Sequence, residues 1–450
     1  MEGWIPRSLS RRNASVGGRG DAWVEGEAVC SDCTARKVQS PAPGVYRCTE
    51  CILPSLLCKE CCLRRHRILP FHTIKEWTGT AFIRTTLKAL GLCLQLNHMS
   101  MRCSNPEACH QSFSVLHTNG IHEIRQLLRR GLYPATQELP RTCATFELLQ
   151  QMHMLQLTSK CATYDYYRAI EKLANNTGVD VPPSKYRSLL RMGIQWRHLK
   201  LMKRGGRGHD ETGVKGTKDG ELAVVCPSCP HPGINLPVGW ESAPDGMKFL
   251  YFVFLCMDAN FRLKNQLVSN YSADPGLGTG LAYVIKREPL EEYVQSRIKD
   301  LDVCRCGLQA VEQAHTRFNK GLRYTGISAV SCGRSEMVMP CSIGNLKKGE
   351  KYANMDYGFG RVLQFLFVLW VLISYDAACH WFVNLYQRIR EHWPEDIKPK
   401  EGVSIEPLIP KLHDAGHKKT KNHEQFSFNL FKGVGLTDGE CPERIWAPHN

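Results

Sequence analysis

Acidic residues are scarce in this sequence. Against 58 Lys and Arg it sets only 43 Asp and Glu, a formal net charge of +15 over 450 residues, and that excess favours a polyanionic partner. Membrane-spanning runs are missing too. Val362 to Tyr375 falls short of the roughly 18 apolar residues that a span needs and is flanked by Arg361 and Asp376, so no membrane partner is expected. No apolar h-region follows Met1-Glu-Gly-Trp-Ile-Pro6, which leads into Arg- and Ser-rich sequence. The expectation is an intracellular chain with reduced thiols, in which the sequons at Asn175 and Asn270 carry no weight. The glycine-rich Asp274-Pro-Gly-Leu-Gly-Thr-Gly280 lacks the Lys-Ser or Lys-Thr of a P-loop and reads as a flexible connection.

Cysteine, by contrast, is abundant, at 21 residues. In a reducing compartment, clustered CxxC pairs mean zinc before disulfides. Cys30-x2-Cys33, Cys48-x2-Cys51 and Cys58-x2-Cys61, followed by His66 and His72, give paired ligands in a segment too short for much of a core. They suit two tetrahedral zinc ions, whose closed sites would supply the folding energy that the small module lacks. The expected assignment is interleaved: Cys30, Cys33, Cys58 and Cys61 on one ion, Cys48, Cys51, His66 and His72 on the other, as in B-box-like cross-braced fingers. Cys62 is then surplus. His98, Cys103, Cys109 and His110 are spaced more loosely and read as core or surface residues ahead of ligands. Cys226-Pro-Ser-Cys229 suits a zinc knuckle in need of further ligands, for which Cys304, Cys306, Cys332 and His231 are candidates. A thioredoxin-like role would require a βαβ context that this Pro-flanked loop does not offer.

The length allows roughly two to four domains. Residues 1–25, rich in Gly, Arg and Ser, are expected to be a disordered basic tail; 26–135 hold the cysteine cluster, 136–225 a helical and basic linker, and 226–450 an α/β core. Helix is expected over Thr86 to Leu96, briefly at Arg125-Gln-Leu-Leu before the breaks at Gly131 and Pro134, and in the stripe Phe146, Leu149, Met152 resuming through Tyr164, Tyr167 and Leu173. Core packing is the default for that stripe. The basic stretch from Arg187 to Lys218 reads equally as a solvated face or as a track for a phosphate backbone.

Two apolar runs end in acid. Phe249 to Met257, aromatic and β-branched in part, reads as a strand buried on both faces and delivers Asp258. Val362 to Tyr375 delivers Asp376. A carboxylate at the mouth of a buried strand is costly unless water, a metal or a partner group solvates it, and open α/β sheets place their chemistry at such ends. The plain alternative is an aspartate that caps the next turn. With a later third acid, the pair could hold two Mg²⁺ ions flanking the attacking and leaving oxygens of a phosphodiester.

The order of motifs resembles a known family. Cys58-Lys-Glu-Cys61 with Pro70-Phe-His72, Gly120-Ile-His122, Tyr133-Pro-Ala-Thr136, Cys226-Pro-Ser-Cys-Pro230, Met257-Asp-Ala-Asn-Phe261, Tyr375-Asp-Ala-Ala-Cys-His-Trp381 and Gly433-Val-Gly-Leu-Thr-Asp-Gly-Glu440-Cys-Pro-Glu-Arg-Ile-Trp446 run collinearly. The second half resembles Kyakuja-Dileera-Zisupton (KDZ) transposases, and the first half the CxC2-like cysteine cluster that accompanies them. The resemblance implies an α/β RNase H-like catalytic core with helical insertions, a DDE-type acidic triad using Mg²⁺ or Mn²⁺, and cut-and-paste chemistry on DNA in the nucleus. Asp258 would be the first acid, Asp376 the second and Glu440 the third, with Glu443 close behind and Asp438 a turn residue. His413 and His417 resemble a His pair that follows the second acid, with a structural zinc or hydrogen-bonding role. The partners would be transposon ends and target DNA, with a homo-oligomer allowed.

The sequence also departs from the family. The cysteine-containing segment expected after Gly120-Ile-His-Glu-Ile is missing, Ser335 stands in place of a histidine, and Asn422-His423 falls near the place of a cysteine. The chain stops soon after Trp446, so the core is expected to be truncated at its C-terminus. The alternative is therefore a non-catalytic zinc-dependent DNA- or protein-binding module of transposase origin, favoured if Asp258, Asp376 and Glu440 fail to converge. A ubiquitin-transfer scaffold would rest on the first zinc module alone.

Overall fold

The computed structural model describes residues 29–53, 55–94, 110–126, 131–137, 140–179, 181–267, 270–271, 276–297, 321–347, 349–417 and 422–450. The expected basic tail, the ligand candidates His98, Cys103, Cys109, Cys304 and Cys306, and Asp274 lie outside them. Two compact units emerge, residues 1–197 and 198–450.

In the first unit, short helices α1 (Ser31–Ala35) and α2 (Lys59–Arg65) pack with a three-stranded antiparallel sheet of β1 (Tyr46–Cys48), β2 (Ile74–Trp77) and β3 (Phe82–Thr85). A second sheet of order β4-β6-β5-β8-β7 follows, from β4 (Cys93–Leu94), β5 (His110–His117), β6 (Gly120–Gln126), β7 (Leu132–Pro134) and β8 (Thr142–Thr145). Helix α3 (Phe146–Thr158) starts where the Thr145 hydroxyl accepts the Leu148 amide at 3.1 Å, an N-cap that satisfies one orphan donor. With α4 (Thr163–Ala174) it buries Leu148, Leu149, Met152, Tyr166, Tyr167 and Ile170. Phe146, Tyr164 and Leu173, expected in that stripe, face solvent instead.

Two expected helices do not form among the described residues. Residues 87–91 form turns ended by Gly91 at φ +97°, a left-handed conformation that stops helix growth, and Cys93–Leu94 pairs with β6. Arg125 and Gln126 belong to β6, where antiparallel pairing with β5 overrides local helix propensity. The basic stretch becomes α5 (Tyr186–Arg204) and a turn in which Arg207 is buried against Asp210 and Glu221.

The second unit is built on a mixed sheet of order β13-β12-β9-β14-β15, from β9 (Val253–Asn260), β12 (Gly326–Cys332), β13 (Gly344–Leu346), β14 (Trp370–Ser374) and β15 (Ser404–Leu408). Strands β12 and β13 run antiparallel to their neighbours, while β9, β14 and β15 are mutually parallel. A small ribbon of β10 (Asn265–Gln266) and β11 (Leu322–Tyr324) stands apart. Central β9 is covered on both faces: Val253, Leu255 and Met257 enter the main core, while Phe254 and Cys256 pack with Leu372, Leu408, Phe428 and Cys441. Burying each large side chain there stabilises the fold by about 1.5–3 kcal/mol. This explains the continuous apolar run.

The run boundaries differ from expectation. Lys248–Tyr251 is a 3₁₀ turn, and β9 continues past Asp258 to Asn260 because β12 keeps pairing with it there. Val362 and Leu363 end α7 (Tyr352–Leu363), and only Trp370–Ser374 is strand. That apolar run carries no Gly or Pro to mark the break. Around this sheet lie α6 (Arg287–Ser296), α8 (Ala378–Trp381), α9 (Leu385–Glu391), α10 (Lys411–Asp414) and α11 (Cys441–Trp446).

Candidate metal centres and active site

Each of two CxxC pairs straddles the start of a helix. Cys30 caps α1 and Cys33 lies in it; Cys58 caps α2 and Cys61 lies in it. The four sulfurs converge, with Cys33 3.8 Å from Cys58 and 3.7 Å from Cys61, and all four lie within 4.8 Å of one another. Burial opposes ionisation of Cys30, but the amides of Cys58 and Cys33 and the neighbouring thiols outweigh it and hold the thiol at about 7. Cys61, by burial and by the same neighbours, is pushed well up. Such a thiol set ionises fully only when a cation supplies the counter-charge. It could hold zinc.

The second set, Cys48, Cys51, His66 and His72, also lies within 4.8 Å. Cys48 Sγ is 3.4 Å from His72 Nδ1, and Cys51 Sγ is 3.5 Å from His66 Nε2. His66 Nδ1 is 2.8 Å from the Cys62 carbonyl. Donating there fixes the tautomer whose Nε2 is free to bind metal. Arg64 and Arg65 both grip Asp32, tying α2 to α1.

In the second unit Cys226 and Cys229 meet Cys332, at the end of β12. Cys229 donates to Cys332 and holds it down at about 4 against burial, while Cys229 itself is raised. Ser335 Oγ is 3.0 Å from Cys226 Sγ. Three sulfurs and a hydroxyl are a weaker donor set than a closed zinc tetrahedron. His231 is turned to the Cys226 carbonyl at 2.8 Å.

The acids gather on one face of the main sheet. Side chains alternate along a strand, so Asp258 shares the face of Phe254 and Cys256. Pairing of Ser374 with Cys256 in the parallel ladder brings Asp376 alongside Asp258. Burial, then Glu350 and Glu443, pushes Asp258 up to about 7, although the Ala259 amide and Trp446 pull against them. Burial raises Asp376 well above the ordinary carboxylate range, followed by Asp258, Glu350, Glu440 and Glu443. Among the described residues no three of these acids bring ligand oxygens within 4.8 Å of one another.

Gly439 shapes the approach of the C-terminal acids. Its φ is +79°, and a Cβ there would stand 2.5 Å from Ser374 Oγ, so glycine lets the turn press against β14. Asp438 serves that turn, accepting from the Glu440 amide at 3.0 Å and from Arg444 at 2.8 Å. Buried Glu440 accepts the Leu412 amide at 2.7 Å. His413 stands between two acids, Nε2 3.3 Å from Asp376 Oδ2 and Nδ1 3.4 Å from Glu440 Oε2. On α11, Glu443 and Trp446 are three residues apart and share a side; Trp446 Nε1 donates to Asp258 Oδ2 at 2.8 Å.

Sequence reasoning missed Glu350, which accepts the Tyr375 hydroxyl at 2.6 Å and has its own carboxyl raised by burial. It sits in Lys-Lys-Gly-Glu between a strand and a helix, with no spacing signal. His417 does not join the acids; it turns to Cys379.

Residues 251–450 match the family model of the Kyakuja-Dileera-Zisupton transposase. Residues 87–178 match that of the CxC2-like cysteine cluster associated with KDZ transposases. Residues 251–450 belong to the KDZ transposase family. No curated protein and no solved structure matches it. The KDZ segment begins just before β9 and contains all the acids above. The CxC2 segment covers β4 to α4, so both four-ligand sets from Cys30 to His72 precede it. No described helix is long and apolar enough to cross a membrane.

Proposed function

We propose that the second unit is an RNase H-like, DDE-type DNA transposase core, acting on transposon ends and target DNA in the nucleus. The observation that carries this reading is the placement of Asp258 and Asp376 beside each other, near the C-terminal end of β9 and just past that of parallel β14, each raised by burial and Asp376 further by repulsion from Asp258. Uncompensated negative charge at that point fits a hard divalent cation with oxygen ligands. The sheet order also supports it: three antiparallel strands, β13-β12-β9, continued by parallel β14 and β15, is the order expected of an RNase H-like core.

Glu443 is the better third acid. It repels both Asp258 and Asp376, whereas one oxygen of Glu440 is already taken by the Leu412 amide. Bound Mg²⁺ or Mn²⁺ would activate water, and then a DNA 3′-hydroxyl, for in-line attack on phosphorus. The chain's own part is to hold the carboxylates: Trp446 fixes the Asp258 rotamer and His413 spaces Asp376 from Glu440. A basic chain of net +15 suits DNA, and a homo-oligomer would allow two ends to be handled together.

A second reading, a non-catalytic DNA- or protein-binding module, is favoured by one feature. Trp446 and His413 already engage oxygens of Asp258 and Asp376 that a metal would need. Nicking of supercoiled DNA with Mg²⁺ or Mn²⁺ separates the two. The transposase reading expects nicking by the zinc-loaded chain and its loss in the Asp258→Asn, Asp376→Asn double variant. Equal nicking by both proteins, or none by folded wild type that still binds DNA, would remove it.

A further inference from the structure

Three ligand-bearing side chains of the second unit meet outside the acid cluster. Cys379 lies on α8, three residues beyond Asp376; His417 follows α10; His423 opens a 3₁₀ turn, His423–Phe426. Their ligand atoms all lie within 4.8 Å of one another. Cys379 Sγ is 3.6 Å from His417 Nδ1, and the two imidazole centroids are 5.4 Å apart.

The histidines are 6% and 5% exposed, and Nε2 of each lacks a hydrogen-bond partner. Buried polar atoms are nearly always partnered, and one left unmade costs about 1–3 kcal/mol. Two buried imidazoles beside a thiol, each with an orphan ring nitrogen, therefore call for an electrophile. Asp414 Oδ1 lies 3.9 Å from His423 Nδ1, on the opposite edge of the ring from Nε2.

We propose that Cys379, His417 and His423 form a structural zinc site, with solvent reaching the partly exposed Cys379 side to complete a tetrahedron. One thiolate and two neutral imidazoles suit Zn²⁺ and discriminate against Mg²⁺, which prefers oxygen ligands, so the site and the carboxylates select different ions. On binding, the Cys379 thiol releases its proton to solvent and a zinc–sulfur bond forms. The ion fastens the α8 corner behind Asp376 to the segment after α10, which carries His413. It is thus a positioning device for the acid cluster, and it stands whether or not that cluster cleaves DNA.

The test measures zinc per chain in the purified full-length protein, followed by cobalt substitution. Cys379→Ser is expected to lose one zinc per chain and part of the thiolate-to-cobalt absorption. Since a misfolded variant would also lose metal, His423→Cys is measured beside it. That variant keeps the number of ligands, and it is expected to retain the wild-type zinc content and gain thiolate-to-cobalt absorption. Unchanged zinc content in Cys379→Ser, or a wild-type cobalt spectrum in His423→Cys, overturns the assignment.

Discussion

Replacing Asp258 by asparagine should make the protein more stable at neutral and alkaline pH. The carboxyl ordinarily titrates at 3.8 and is pushed up to about 7 in the fold, by burial first and by Glu350 next. A raised acid holds its proton more tightly when folded. The contribution of this carboxyl is therefore most favourable below pH 4 and is lost progressively as pH rises to about 7, beyond which its penalty is constant. At about 1.4 kcal/mol per pH unit, the interval amounts to about 4 kcal/mol at pH 8 and about 2 kcal/mol at pH 5. Asparagine keeps an oxygen for the Trp446 indole, 2.8 Å away in the wild type, and removes the charge. Urea unfolding of the zinc-loaded chain, followed by tryptophan fluorescence, should show the variant more stable by about 4 kcal/mol at pH 8. The advantage should halve at pH 5 and shrink when Mg²⁺ stabilises the wild type. A variant no more stable than wild type at pH 8, or an advantage indifferent to pH, would refute the electrostatic reasoning.

Other expectations concern the frame and the ligands. Fully buried Asp356 accepts from Arg388 Nε at 2.7 Å, Trp381 Nε1 at 2.7 Å and Trp393 Nε1 at 3.2 Å. Asp356→Ala leaves the guanidinium without its carboxylate and should cost about 3–5 kcal/mol, seen calorimetrically as a Tm lower by roughly 6–20 °C. A chelator that strips zinc should abolish amide protection around Cys30 to His72 while leaving β9 and β14 protected, as hydrogen exchange would report. Glu443→Gln should lower the nicking rate by about a hundredfold or more; Glu440→Gln, which can still accept the Leu412 amide, should lower it by less than about tenfold.

Local signals account for what could be read from the sequence alone. The CxxC spacing at Cys30 and Cys58 makes ligand pairs legible because one turn at a helix start aims both sulfurs at one point. The apolar run before Asp258 is legible as strand because both of its faces are covered. The run from Val362 to Tyr375 is not: a helix end and a strand, both buried, look alike in hydropathy. Glu350 and the place of His413 between Asp376 and Glu440 arise from long-range packing that no spacing records. Cys379 and His423 join His417, which the resemblance singles out, from separate segments, and the meeting of the three is visible only in three dimensions.

The central claim is that the carboxylates of the sheet form a divalent-cation site, and Mn²⁺ titration calorimetry addresses it without reference to turnover. Wild-type zinc-loaded chain should bind Mn²⁺ more tightly at pH 8 than at pH 6, because binding must displace protons held by Asp258 and Asp376. The Asp258→Asn, Asp376→Asn double variant should lose that binding. Equal Mn²⁺ affinity in the two proteins, or affinity that does not change with pH, would contradict the account.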